Sequence, residues 1–179
     1  MTIGITCSHF ETNKDNLTEE QLQSLERYRF ALQDAGADSE VLFLPPEDSS
    51  IEAIKEMAES KSCELQGLVL SGGKNLPPQV YGATPGPYLE ATIPLMRHTF
   101  DKVMAEAMLS QNKPVLGICL GLQLLCNFSE EGNTKCLGIF DSVVKKFDSS
   151  VFQNKNLVPY KIPHMGWNTI VRLSSPLMN

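Results

Sequence analysis

Several things are scarce or missing in this 179-residue chain, and each absence removes a class of function. No apolar run approaches the roughly 20 residues that span a bilayer. The first residues, Met1-Thr2-Ile3-Gly4-Ile5-Thr6, lack the charged-then-apolar order of a secretory leader. Basic residues are in deficit, 15 against 21 acidic, for a formal net charge of −6. That sign argues against nucleic acid or an anionic membrane as partner, because both require clustered Lys and Arg. The basic pair Lys145-Lys146 is too short to change this and reads as a solvated strand edge. Cysteines number five, at 7, 63, 119, 126 and 136. No pair has C-x-x-C spacing and no histidines cluster beside them, which argues against a disulfide framework and a zinc site. Most of these thiols read as small buried hydrophobes in a reducing cytoplasm. Aromatics are sparse at 7%, with Trp167 the single tryptophan.

What remains is an ordinary globular composition, 42% apolar and 20% charged, of a length suited to a single domain over 1–179. Short apolar runs alternate with amphipathic ones. Strands are expected at Ile3 to Cys7, Glu40 to Leu44 (closed by Pro45-Pro46), Gly67 to Leu70 and Pro114 to Ile118. The first helix has a capping box, Thr18 with Gln21, and an apolar stripe through Leu22, Leu25, Tyr28, Leu32 and Ala35 that Gly36 ends. Ser49 with Glu52 reads as a second capping box before Ile51, Ile54 and Met57. A third helix carries Met96, Phe100, Val103 and Ala107 on one face, and Leu122, Leu124 and Leu125 suggest a buried helix after the fourth strand. Near-continuous apolar strands alternating with helices mean an α/β fold, a doubly wound, mostly parallel sheet with helices on both faces. From Lys74 to about Thr92, Pro and Gly are too dense for regular structure, and a loop of that length is usually functional. After Gly132 the texture turns to two-period strands, Cys136 to Phe147 and Lys161 to Leu173, read as a small antiparallel β appendage.

Two local patterns carry chemistry. Gly117-Ile118-Cys119-Leu120-Gly121 lies where a strand passes into a helix and has the form G-x-nucleophile-x-G with Cys as nucleophile. Such an elbow holds its nucleophile on a strained turn, with glycines where neighbouring backbone comes too close for a Cβ. The following helix N-terminus favours the thiolate, and the Leu120 N–H stands ready for an oxyanion. A buried cysteine in a tight turn is the plainer alternative. Ser71-Gly72-Gly73, at another strand's C-terminal end, offers exposed N–H groups at the edge where open α/β sheets bind ligands; the alternative is a simple turn. It is not a phosphate loop, since Leu68 stands where the first glycine belongs and Asn75 replaces Ser or Thr.

Taken together these segments resemble the class I, triad-type glutamine amidotransferase superfamily. Lys113-Pro114-Val115-Leu116-Gly117-Ile118-Cys119-Leu120-Gly121-Leu122-Gln123 is similar to its nucleophile motif nearly residue for residue. The resemblance implies a flavodoxin-like fold and attack by Cys119 on the glutamine side-chain amide, giving a γ-glutamyl thioester and ammonia. It further implies oxyanion donors at Gly73 and Leu120, and substrate contacts from Gly72 and Gln123. No cofactor or metal is implied. Ser129-Glu130-Glu131-Gly132, Leu137-Gly138-Ile139 and Pro163-His164-Met165-Gly166-Trp167-Asn168 resemble the glutaminase subunits of imidazole glycerol phosphate synthases. That implies an ammonia-accepting synthase partner met by His164 and Trp167. The run Gly72-Gly73-Lys74-Asn75-Leu76-Pro77-Pro78-Gln79-Val80-Tyr81-Gly82 is instead similar to γ-glutamyl-γ-aminobutyrate hydrolases. Arg97 and Phe100 resemble the same group, although His98 stands where an Asp is usual. A γ-glutamyl hydrolase with the same nucleophile is therefore the alternative.

The superfamily completes its triad with His and Glu in a His-Pro-Glu segment, and this sequence reaches Asn179 without one. Its histidines are His9, His98 and His164, and all three read as structural or solvent-facing. The expectation is a chain cut short of its triad or a degenerate homologue, so a non-catalytic amidotransferase-like binding module stands as a third reading.

Overall fold

A computed structural model describes residues 1–74, 92–130 and 133–145. These fall in the first of two compact units, Met1–Lys145; the second is Lys146–Asn179. The expected strands at 161–173 and the segment 163–168 lie outside the described residues, as does most of the Pro/Gly-rich loop.

Four strands, β1 (Thr2–Phe10), β2 (Asp38–Leu44), β3 (Gly67–Leu70) and β4 (Val115–Gly117), form a fully parallel sheet in the order β2-β1-β3-β4. The helices between them are α1 (Glu19–Asp34), α2 (Ile51–Glu64) and α3 (Leu95–Ser110). The chain moves outward from β1 to β2, then crosses back over β1 to β3, so the winding reverses between β1 and β3. Among the described residues, no helix is long and apolar enough to cross a membrane.

Strand alternation splits the core into two layers. Leu42, Leu44, Leu68 and Leu70 face α2 and α3, packing with Ile54, Ala58, Phe100, Met104 and Met108. Ile3, Ile5 and Val69 face the other way, under Tyr28 and Leu32 of α1. Each fully buried large apolar side chain contributes about 1.5–3 kcal/mol, so the first layer carries most of the stability. Gly4 on β1 gives it room: a Cβ there would lie 2.7 Å from Leu65 and 2.9 Å from Leu42 side-chain atoms.

Local signals account for the helix ends. The Gln21 N–H donates to Thr18 Oγ1 and the Thr18 N–H to Gln21 Oε1, the expected capping box. Gly36, at φ 79°, ends α1. The second cap is one residue later than expected: Ser50, not Ser49, accepts from the Ala53 N–H at 3.2 Å, which puts Glu52 inside the first turn. On α3 the buried face takes in Arg97 and Asp101 alongside the apolar stripe.

The appendage differs from expectation. Helix α4 (Leu120–Leu125) has only six residues and leads straight into β5 (Cys126–Ser129), which pairs antiparallel with β6 (Thr134–Lys135) and parallel with β7 (Phe140–Val144). The small sheet is mixed because the chain turns back after β6. The Leu137, Gly138 and Ile139 N–H groups donate to carbonyls of 124–126, and Gly138, at φ 68°, reverses the path to the far edge of β5. Leu124 and Leu125 are buried as expected, but Leu122 is exposed.

Candidate active site

Ligands of an open parallel sheet bind beyond the carboxyl ends of the strands, where the winding reverses. Here the ends of β1 and β3 meet at that place, with the turn after β4 beside them.

Cys119 occupies the turn from β4 into α4, at φ 53° and ψ −109°, and its residue is exposed. A side chain with a Cβ seldom adopts positive φ, so this backbone holds strain of order 1–3 kcal/mol that the surrounding packing must sustain. The packing is visible at both flanking glycines. A Cβ at Gly117 would stand 2.6 Å from the Gly121 carbonyl, and one at Gly121 would stand 2.2 Å from the Leu70 carbonyl oxygen. The first turn of α4 is thereby pressed onto the end of β3. The Ile118 N–H donates to that same Leu70 carbonyl at 3.0 Å, tying the elbow to β3. The leading N–H groups of α4, Leu120's among them, belong to those that no helix can satisfy internally.

The loop after β3 comes up against this elbow. A Cβ on Gly72 would lie 3.4 Å from the Cys119 Cβ, and one on Gly73 would lie 3.3 Å from the Leu120 side chain. The structure therefore brings Gly72, Gly73, Cys119 and Leu120 into one place from two separate parts of the chain. Gln123, one turn along α4, is half-buried and accepts from the Ser129 hydroxyl at 3.3 Å, which links the elbow helix to β5. His164 and Trp167 lie outside the described residues.

Below the loop is a buried polar cluster that sequence reasoning did not anticipate. The Arg97 guanidinium, fully buried, pairs with Asp101 Oδ2 at 2.7 Å. It also donates to Ser8 Oγ at 2.8 Å, to the Ser71 carbonyl at 3.0 Å, to Ser71 Oγ at 3.1 Å and to Thr6 Oγ1 at 3.2 Å. Burial pushes the Asp101 carboxyl up, and the guanidinium opposes that shift. The available signal was the Arg-x-x-x-Asp spacing, which puts both groups on the helix face shared by Phe100 and Met104. On the opposite side, Tyr28 of α1 accepts the Gly72 N–H on its phenolic oxygen at 3.1 Å. In the sequence Tyr28 was only one position of an apolar stripe.

A polar cavity of about 450 Å³ opens at the β1/β3 junction, lined by Ser8, His9, Thr18, Tyr28, Gly72 and Gly73 among others. His9-Phe10-Glu11 is a His-x-Glu sequence at the end of β1 that the reading of the sequence passed over. His9 lines this cavity, at the end of β1 and on the far side of β3 from β4. Burial and the nearby Arg97 hold the His9 imidazole below its usual range. The His98 imidazole is likewise lowered, by burial and then by Lys102. Cys7 and Cys126 are buried, and burial pushes the Cys7 thiol up to about 11. Cys63 is exposed on the end of α2, away from any of these groups.

A cysteine on a strained strand-to-helix elbow, facing a glycine loop at the C-terminal edge of a parallel sheet, places the chain in the nucleophile-elbow class of α/β proteins. Within that class, the chain matches the peptidase C26 family over residues 1–135 and belongs to it. Relatives include imidazole glycerol phosphate synthase subunit HisH of Bacteroides fragilis, 50% identical over 82 residues, which are 46% of this chain and 39% of that protein. The subunit of the same name from Nitrosomonas europaea is 47% identical over 72 residues, 39% of this chain and 34% of that protein. The one from Neisseria meningitidis serogroup A is 43% identical over 76 residues, 42% and 34% respectively. The matched part thus spans no more than about two-fifths of the length of these curated relatives.

Proposed function

We propose that the chain is the glutaminase part of a glutamine amidotransferase, acting through Cys119. The observation that carries this reading is the meeting of the Cys119 elbow with Gly72-Gly73. In the proposed reaction the Cys119 sulfur attacks the side-chain amide carbon of glutamine. The N–H groups of Gly73 and Leu120 take the oxyanion, and Gln123 holds the substrate. Because the Gly72 N–H is engaged by Tyr28, Gly73 is the better donor of the two, and Gly72 serves the substrate through its carbonyl and open Cα. Collapse of the tetrahedral adduct breaks the C–N bond, releases ammonia and leaves a γ-glutamyl thioester, which water then cleaves. The 179 residues contain no His-Pro-Glu segment.

The names of the relatives supply the second half of the proposal. As subunits of imidazole glycerol phosphate synthase they work within a synthase, and for this chain we infer an ammonia-accepting synthase partner, with His164 and Trp167 contributing to docking. The peptidase family match favours one rival, a γ-glutamyl hydrolase that uses the same thioester and needs no acceptor.

The test is peptide mapping after brief incubation with glutamine, or with a γ-glutamyl amine in parallel. A γ-glutamyl adduct on the Cys119 peptide, absent in Cys119→Ala, is expected with glutamine. An adduct formed only from the γ-glutamyl amine would transfer the site to the hydrolase reading. No adduct from either, with no thiol-dependent ammonia release, would leave the binding-module reading standing.

A further inference from the structure

One peptide unit in the site is held at both of its polar groups by side chains. The carbonyl of the Ser71–Gly72 peptide accepts from Arg97 Nη2 at 3.0 Å, and the N–H of the same peptide donates to the Tyr28 hydroxyl at 3.1 Å. In a trans peptide these two groups point in opposite directions. The two holding side chains accordingly come from opposite faces of the sheet, Tyr28 from α1 and Arg97 from α3. A third contact, from the Ser71 N–H to Thr6 Oγ1 at 3.4 Å, fixes the preceding peptide.

Neither holding group is free to drift. Arg97 is fully buried, and its remaining nitrogens are committed to Asp101 and Ser8. Tyr28 packs against the cluster of Ile3, Ile5, Ala37 and Val69, and its hydroxyl reaches the Gly72 N–H of the loop. The Gly72 Cα points its open side at Cys119. Glycine by itself adopts many backbone conformations, so a Gly-Gly pair beside a nucleophile has no preferred orientation of its own N–H groups. Something outside the pair must set it.

We propose that Tyr28 and Arg97 are positioning residues that clamp the Ser71–Gly72 peptide, preventing its rotation and aiming the next N–H, that of Gly73, at the oxyanion formed over Cys119. The proposal rests on the acyl-transfer reading of Cys119 for its catalytic consequence, but the clamp itself is a statement about the loop. The hydroxyl of Tyr28 is its working atom. Tyr28→Phe keeps the ring and its packing, removes the acceptor of one N–H, and leaves the fold intact.

Two measurements on the full chain separate the clamp from the chemistry. The first is amide hydrogen exchange. Tyr28→Phe should raise the exchange rate of the Gly72 amide at least tenfold, with the amides of β1 and α1 unchanged. The second compares two reagents at Cys119. 6-Diazo-5-oxo-L-norleucine carries a glutamine-like carbonyl that needs the oxyanion donor, whereas iodoacetamide does not. Misplacing one donor is expected to slow inactivation by the glutamine analogue about 10- to 100-fold, with the iodoacetamide rate within twofold of wild type. Unchanged exchange at Gly72 in Tyr28→Phe would overturn the clamp. So would increased exchange with no change in the ratio of the two reagent rates, because the loop would then not be aimed at the thiol. A wild-type chain that reacts with iodoacetamide but not with the glutamine analogue counts against the glutaminase reading instead, and the exchange rates then decide the clamp alone.

Discussion

Replacing Gly121 with alanine sets a methyl group 2.2 Å from the Leu70 carbonyl oxygen and 2.6 Å from the Leu70 Cβ. Ordinary van der Waals contact begins near 3.4 Å, so more than an ångström of relief is needed. The oxygen is backbone and cannot swing aside. It already accepts the Ile118 N–H that joins the elbow to β3, and Leu70 itself is fully buried in the larger core layer. Overpacking of this kind costs roughly 3 kcal/mol, the upper end for one added carbon in a rigid setting. Alanine in place of glycine in a helix returns about 1 kcal/mol. The clash wins, and a net loss of about 2 kcal/mol should lower the melting temperature by roughly 4–8 °C. Gly36→Ala is the control. It stands at φ 79° with nothing within 4 Å of an added Cβ, so its cost is conformational, about 1–2 kcal/mol. Both variants should melt early in a thermal scan followed by circular dichroism. Only Gly121→Ala should also change the rate at which iodoacetamide modifies Cys119, because only there does relief move the elbow. A Gly121→Ala protein that melts at or above wild type would refute the close approach of α4 to β3, and with it the stated reason for the G-x-C-x-G spacing.

Limited alkylation at neutral pH should modify Cys119 and Cys63 first and spare the buried Cys7 and Cys126, with Cys119 the faster of the exposed pair; peptide mapping showing Cys63 ahead would remove the case for an activated elbow thiol. Cys7 gives a pH signature. Its folded value of about 11 lies above the ordinary 9.0, so its contribution is complete below pH 9 and disappears as pH rises through 11, up to about 2.7 kcal/mol. Urea midpoints between pH 8 and 11 should therefore fall more steeply for wild type than for Cys7→Ala, and parallel curves would contradict the burial of that thiol. Ser50→Ala should cost about 1 kcal/mol and Ser49→Ala almost nothing, since only Ser50 caps α2; equal urea midpoints for the two variants would contradict that assignment.

The sequence alone determined most of what depends on neighbours along the chain. Hydrophobic period separated strands from helices, and the Thr18 and Gln21 pair marked the start of α1 because capping is a contact across three residues. The G-x-C-x-G run marked an elbow because a strained turn needs glycines at fixed offsets. The parallel sheet followed from alternation of element types. Where two adjacent serines competed for one cap, the capping-box pattern pointed to Ser49 with Glu52, whereas the structure puts the cap on Ser50.

Tertiary structure decided what depends on distant residues meeting. The β5–β7 pairing is parallel because Gly138 redirects the chain, a property of one backbone angle rather than of strand pattern. Tyr28 and Arg97 lie 44 and 26 residues from their partners in the glycine loop, and each sits in its helix among apolar neighbours of the same spacing. In sequence they look like members of a buried stripe. Only the crossing of α1 and α3 over the two faces of β1 and β3 turns a phenol and a guanidinium toward one peptide bond. Periodicity reports which face of a helix is buried, but the polar group waiting under that face belongs to another part of the chain.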